Sequence, residues 1–266
     1  MTDRIASLTE TPYATVDDAA DRLGELLDAF RDRHDRRAVF LTAYHRMTLA
    51  LQEKLGTGFF EDEPWVRSYL ISFANLYRVA VHDHHVGEVD DLPDCWQFTL
   101  EHAVDEEGLV LQDLLLGINA HVNHDLALAL DEAGLESDTG SKYRDHTAIN
   151  EVIATVVDPV QQAIADHYSE ALGALDELFG RLDEMVTNFS FEKAREFAWR
   201  HGRELEKAEG GREHRRAAET LDREVTELAE AIAGPPVVAS LVGEFFDGDG
   251  EPWWLRLDDG APSADS

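Results

Sequence analysis

Leu109–Leu130, LVLQDLLLGINAHVNHDLALAL, is the most apolar stretch of the chain, yet Asn119, His121, Asn123, His124 and Asp125 sit at its centre. Apolar character sustained over that length, with no alternation, reads as one buried helix spanning about residues 108–132. Polar groups placed where water is scarce need a partner, an ion or a ligand. This stretch therefore sets both the fold, as the helix around which others pack, and the place to look for function.

Helix signals dominate outward from it. Thr15 opens TVDDAADRLGELLDAFRDRHD with Asp18 at the capping-box offset and Leu23, Leu26, Leu27 and Phe30 on one stripe. A second pattern, Val39–Leu55, stops at Gly56. Asp62 with Pro64 starts a third, WVRSYLISFANLYRVAV. The polar run His82–Asp94 reads as a loop, and Cys95–Ala103 as a short helix leading into the apolar one. Beyond it, Gly134–Ser141 reads as a linker. Tyr143–Val157 continues as helix, and Asp158–Pro159 marks a restart or kink in a pattern that runs to about Met185. Ser190 caps FEKAREFAWRHGRELEKA, which ends near Gly210–Gly211. Arg212–Ile232 reads as an exposed amphipathic helix with Leu221, Val225, Leu228 and Ile232 on its stripe. Val237–Phe246 adds a short helix, and Trp253–Trp254 lie in an acidic tail.

The expected class is all-α, a multi-helix bundle with a helical C-terminal extension and a tail. The expected boundaries are a flexible 1–14, a helical domain 15–210, an extension 211–246 and a flexible tail 247–266.

The chain has 266 residues, 44% of them hydrophobic, enough for a proper core. Its 55 acidic and 23 basic residues give a formal charge of -32, and Lys54, Lys142, Lys193 and Lys207 are its only lysines. Such a surface resembles that of cytoplasmic proteins from salt-in halophiles, archaea above all. In molar salt the Debye length falls to roughly 3 Å and self-repulsion is screened. No basic stripe is left for nucleic acid. Leu109–Leu130 is long enough to span a bilayer, but Asp113 and the central polar group make insertion costly. The expectation is a soluble cytoplasmic protein with no membrane partner. With Cys95 the only cysteine, a disulfide framework and a Cys-based zinc site are set aside.

On a helix, His121, His124 and Asp125 fall within roughly a third of the circumference. Two imidazoles and a carboxylate on one face fit a divalent metal, completed from another helix. Alternatively, Asp125 orients His121 as a general base. Asn119 and Asn123 point elsewhere, toward neighbouring helices. The competing reading is a satisfied polar network, bonded to groups such as Asn75, Arg78, Asn150 or Glu151, that fixes helix register. His146 and Asn150 share a face and fit completion of the site. His82, His84 and His85 read as a solvated run, and Trp65, Trp96 and Phe59–Phe60 as core anchors. HExxH, GxSxG, a Walker A loop and Glu-x-x-His are all absent from the sequence, which removes zincins, α/β-hydrolases, P-loop proteins and ferritin-like di-iron bundles.

GTGFFEDEPWV, FANLYRVAV, Pro93 with Trp96, LLLGINAHVNHDLALAL and SFEKAREFAW together resemble the successive blocks of a family known as domain of unknown function 5995. The resemblance covers about residues 39–206, with GINAH-x-x-x-DL its most specific part and Phe189 standing where a Trp is expected. It implies a helical domain without an assigned activity. Its recognisable polar positions map onto Asn119, His121 and Asp125, and further onto Asp145 and Asn150.

The functional expectation is a buried site binding a metal or small ligand, with a hydrolytic role. His121 and Asp125 would be catalytic, and His121, His124 and Asp125 would hold any metal. Asn119, Asn123, Asp145 and Asn150 would bind ligand or support those groups. The alternative is a non-catalytic structural or interaction module. A third possibility is partner binding through the Arg212–Ile232 helix and the Trp253–Trp254 tail, with the stripe as a homodimer face.

Overall fold

In a computed structural model, the chain is described over residues 3–106, 108–136, 139–172 and 191–234. Every regular element there is helical. The expected Ser190 cap, the 237–246 helix and the Trp253–Trp254 tail lie outside the described residues.

Helix α1 (Arg4–Thr9) corrects the expected free N-terminus. Ile5 and Tyr13 are buried, and the amide of Asn75 both accepts from Tyr13 N (2.8 Å) and donates to Tyr13 O (3.0 Å). Helix α2 (Val16–Arg31) starts as its caps predict, with Thr15 Oγ1 accepting from Asp18 N at 3.0 Å. Helix α3 (Ala38–Lys54) follows.

Helix α4 (Glu63–Val86) begins at Asp62, whose side chain accepts from Trp65 N. It runs through the His82–His85 segment expected to be a loop. The stop is Gly87, in the left-handed conformation at φ 81°, and the polar residues before it are half-buried helical positions. His82 Nδ1 meets Thr9 Oγ1 at 3.0 Å and His85 Nε2 meets Asp3 Oδ2 at 2.7 Å, so these imidazoles anchor the α1 region.

Helix α5 (Asp94–Val104) leads to the central stretch, which is three elements rather than one. They are α6 (Val110–Ile118), a π-helical segment (Asn119–Asp125) and α7 (Leu126–Ala133). A π-turn bonds i to i+5 and so holds more residues per turn than an α-turn. The polar block is the π-segment. Asp113 lies just before it, its carboxylate taken up by Arg36 Nε (2.6 Å) and His102 Nδ1 (2.9 Å).

Helix α8 (Thr139–Leu172) passes through Pro159 without the expected restart. A proline removes one backbone hydrogen bond. Ile149, Val152 and Ile153 before it and Ala163 and Ile164 after it are all buried, and that packing carries the helix across. Helices α9 (Phe191–Lys207) and α10 (Gly211–Ala233) complete the described chain.

Helix α9 packs along α7, α3 against α2 and α8, and α4 against α7. The stripe of α10 is not left to a partner. Leu221, Val225, Leu228, Ala229 and Ile232 are buried against α5, α6 and the π-segment. Gln112 Nε2 donates to Ile232 O (2.9 Å) and Asn119 Nδ2 to Val225 O (2.9 Å), which fixes the register of that packing. Among the described residues no helix is long and apolar enough to cross a membrane.

Gly117 has a packing reason to be glycine, since a Cβ there would overlap the ring of Phe40. Alanine in a helix interior ordinarily stabilises by about 1 kcal/mol over glycine. Here the sign reverses: Gly117→Ala is expected to destabilise by about 1–3 kcal/mol as Phe40 is displaced. Urea unfolding of the two proteins in the same high-salt buffer reads the difference.

Candidate functional site

The π-segment positions a carboxylate with three donors around it. Asp125 is 2% exposed, and Trp96 Nε1–H reaches both of its oxygens at 2.9 Å. His121 Nδ1 lies 2.9 Å from Oδ2 and His124 Nδ1 lies 2.9 Å from Oδ1. Burial alone would raise the Asp125 carboxyl, but the two imidazoles outweigh it and hold the pKa below the usual 3.8. An ionised Asp125 accepts only, so each imidazole donates to it from Nδ1–H.

His121 is 1% exposed, and its Nε2 has no hydrogen-bond partner among the described residues. Its ring stacks on Phe73 (centroids 3.6 Å, 9°) and meets Tyr44 edge-on at 4.3 Å. Phe40, Tyr77 and Trp96 complete the surround. Burial lowers the pKa of His121 against the pull of Asp125, so the ring is neutral near pH 7.

This imidazole forms part of the wall of a cavity of about 130 Å³. Helices α3, α4, α6, α7, α8 and α9 and Val122 of the π-segment supply the rest, with Met47, Leu114, Ile153 and Val160 among the apolar groups. Apart from the phenols of Tyr44 and Tyr69, the only polar side chains in the described wall are His121 and Arg195. Arg195, on α9, is also buried, and its Nε has no hydrogen bond of good geometry among the described residues.

His124 turns to the other side of Asp125. One of its ring nitrogens, the Cys95 sulfur and an Asp222 oxygen lie within 4.8 Å of one another. Asp222, from α10, also accepts from Asp94 N (2.9 Å) and Cys95 N (3.1 Å) at the start of α5. Burial, reinforced by Asp222, pushes the Cys95 thiol well above 9.0.

The remaining expected site residues lie in supporting places. Asn119 and Asn123 bond to each other at 2.8 Å, and Asn119 ties down α10. Asp145 accepts the backbone N–H groups of Glu61 (2.8 Å) and Asp62 (2.6 Å), holding the approach to α4. Asn150 has a buried Oδ1 without a partner, and Asn75 and Arg78 serve the α1 region instead of the π-segment.

Trp96, Cys95, Tyr69, Asp222 and Arg195 join the picture only in three dimensions. Trp96 reads in sequence only as a core anchor, and Arg195 leaves a trace of another kind. It lies on the buried face of α9 with Ala194, Ala198, Trp199 and Leu205, where a lone guanidinium is out of place.

A family model described as a family of unknown function, DUF5995, matches residues 16–235. The chain belongs to that family. The DUF5995 match takes in α2 and α10, so the C-terminal helix expected to lie outside the resemblance is part of the family's domain. No curated protein and no solved structure matches this DUF5995 chain.

Proposed function

We propose that the chain binds a small apolar molecule in the central cavity and that His121 Nε2 accepts a hydrogen bond or a proton from it. The observation that carries this reading is the unpartnered Nε2 of a buried imidazole in an apolar wall, with Nδ1 already committed to Asp125. An imidazole backed by a carboxylate is a general base, and the Asp125 bond fixes the tautomer that aims its lone pair at the cavity. At about 130 Å³ the cavity compares with the roughly 150 Å³ apolar void known to admit benzene in another protein. The described wall holds no Ser, Thr or Cys, so in a hydrolytic version the nucleophile is a water activated by His121.

Phenol and toluene fill similar volumes, but only phenol can donate to Nε2. Phenol is expected to raise the melting temperature of the wild type more than toluene does. His121→Phe, which keeps an aromatic ring against Phe73, is expected to erase that advantage. If neither compound stabilises the wild type, the cavity reading fails and the polar block serves architecture alone.

A second reading rests on the Cys95, His124 and Asp222 cluster. A divalent metal there would be held by thiolate, imidazole and carboxylate, with Asp125 orienting His124 from behind. Binding would release the thiol proton, so affinity for Zn²⁺ should rise with pH. Metal held at one equivalent by the wild type and lost in Cys95→Ser would support it; no uptake by either protein would dismiss it. A metal shared by His121, His124 and Asp125 would require the present hydrogen bonds at Asp125 to break.

A further inference from the structure

We infer that the ligand of the central cavity is a small apolar acid whose carboxylate is held by Arg195 and Tyr69. This rests on the cavity reading above and names the chemical class it would take.

Arg195 is 6% exposed, and none of the described ion pairs includes it. Its Nη2 donates to the backbone oxygen of His146 (2.5 Å) and to His146 Nδ1 (3.2 Å). His146 cannot offset the charge. Its Nε2 lies 3.0 Å from the Arg195 backbone oxygen, so Nε2 carries the proton and Nδ1 is a neutral acceptor. Burial, and then the neighbouring guanidinium, hold His146 in that neutral form. Buried charges in folded proteins are paired or bound to an ion. Here the polar partners among the described residues, His146 and the Tyr69 phenol, are neutral.

Tyr69 shows a related deficit. Its hydroxyl is buried against Arg195, where the phenol oxygen can face the guanidinium, and among the described residues its own O–H has no acceptor. Asp145, whose charge is felt at Tyr69, has each carboxylate oxygen engaged by a backbone N–H, of Glu61 and of Asp62. A guanidinium and a phenol O–H therefore meet in a cavity wall with no negative charge between them among the described residues. A carboxylate supplies two acceptor oxygens and one negative charge.

Geometry also limits the rest of the ligand. Tyr69 and Phe73 are one turn apart on α4, about 6 Å along its axis, and His121 stacks on Phe73. An aromatic or short aliphatic body attached to the carboxylate spans that distance and lies against apolar wall. The chain's charge of -32 repels anions from a distance, so selectivity for an acid has to come from Arg195 at contact.

Binding of benzoate, benzyl alcohol and benzylamine, measured by calorimetry in 2 M KCl, separates the possibilities. The wild type is expected to bind the acid at least tenfold more tightly than the alcohol, and the amine least. Arg195→Met is expected to remove that preference while alcohol binding stays within about threefold of wild type. Tyr69→Phe deletes one hydroxyl and tests the same point should Arg195→Met not fold. It is expected to weaken the acid several-fold and leave the alcohol unchanged. If the alcohol binds as well as the acid, the cavity reading stands and the acid inference is overturned. If Tyr69→Phe and a folded Arg195→Met both retain full acid preference, the inference is likewise overturned. If none of the three binds the wild type, the cavity reading itself falls, and the inference with it.

Discussion

Asp125→Ala is expected to lower the unfolding free energy by about 3–5 kcal/mol, a large share of the 5–15 kcal/mol that holds a typical domain together. The carboxylate accepts from Trp96, His121 and His124 at once, and all four residues are buried. Alanine would leave three donors without an acceptor in a place water cannot reach. Asp125→Asn is the more informative variant, since it keeps the volume. Its single amide oxygen can serve one imidazole, while its NH₂ would face the other Nδ1–H donor to donor. That second ring must switch tautomer or move. Urea unfolding in high-salt buffer gives the stability of both variants, and ¹⁵N shifts of the imidazoles reveal the tautomer change. A loss below about 1 kcal/mol for Asp125→Ala, the range of one ordinary hydrogen bond, would remove Asp125 from its central position.

A second large effect is acid lability. His121 and His146, each 1% exposed, have folded pKa values below the ordinary 6.5, the first through burial and the second through burial and Arg195. Below pH 6.5 the unfolded chain takes up protons at these two positions while the native chain does not. Stability therefore falls as pH falls, by up to about 1.4 kcal/mol per pH unit for each imidazole. The groups around them set the sign. Asp125 favours a charged His121, but burial outweighs it, and around His146 the neighbouring charge is the like charge of Arg195. Asp125 adds to the same trend at lower pH, because its depressed pKa means stability lost on protonation. Denaturant unfolding between pH 7.5 and 5 should show this slope. His146→Phe should reduce it by about one proton, and a slope unaltered by that change would place the proton uptake elsewhere.

Where the fold was legible in sequence, short-range chemistry made it so. Thr15 with Asp18, and Asp62 with Pro64, mark helix starts because capping is settled within four residues. The apolar spacing of Leu221, Val225, Leu228 and Ile232 marks the buried stripe of α10, although spacing alone could not say what covers it. The polar block was visible as a chemical anomaly, and the bonds of His121 and Asn119 to residues four places on follow that spacing. Its π-helical form was not visible, because nothing in NAHVNHD distinguishes an i to i+5 turn from an α-turn. The His82–His85 run misled because polarity was read as irregular backbone, whereas helix termination is a matter of Gly87. The other half of the site lies up to about a hundred residues away in the chain. Trp96, Tyr69, Arg195 and Asp222 reach it only through packing that sequence spacing does not encode.

One carboxylate standing between two imidazoles also means that the two faces of the π-segment are not electrically independent. Electron density that Asp125 lends to His121 is unavailable to His124, and a proton or ligand arriving on one ring alters the basicity of the other. The apolar chamber on one side and the thiol-bearing corner on the other share a single reservoir of charge. A charge placed on either side is felt at the other through the carboxylate they share.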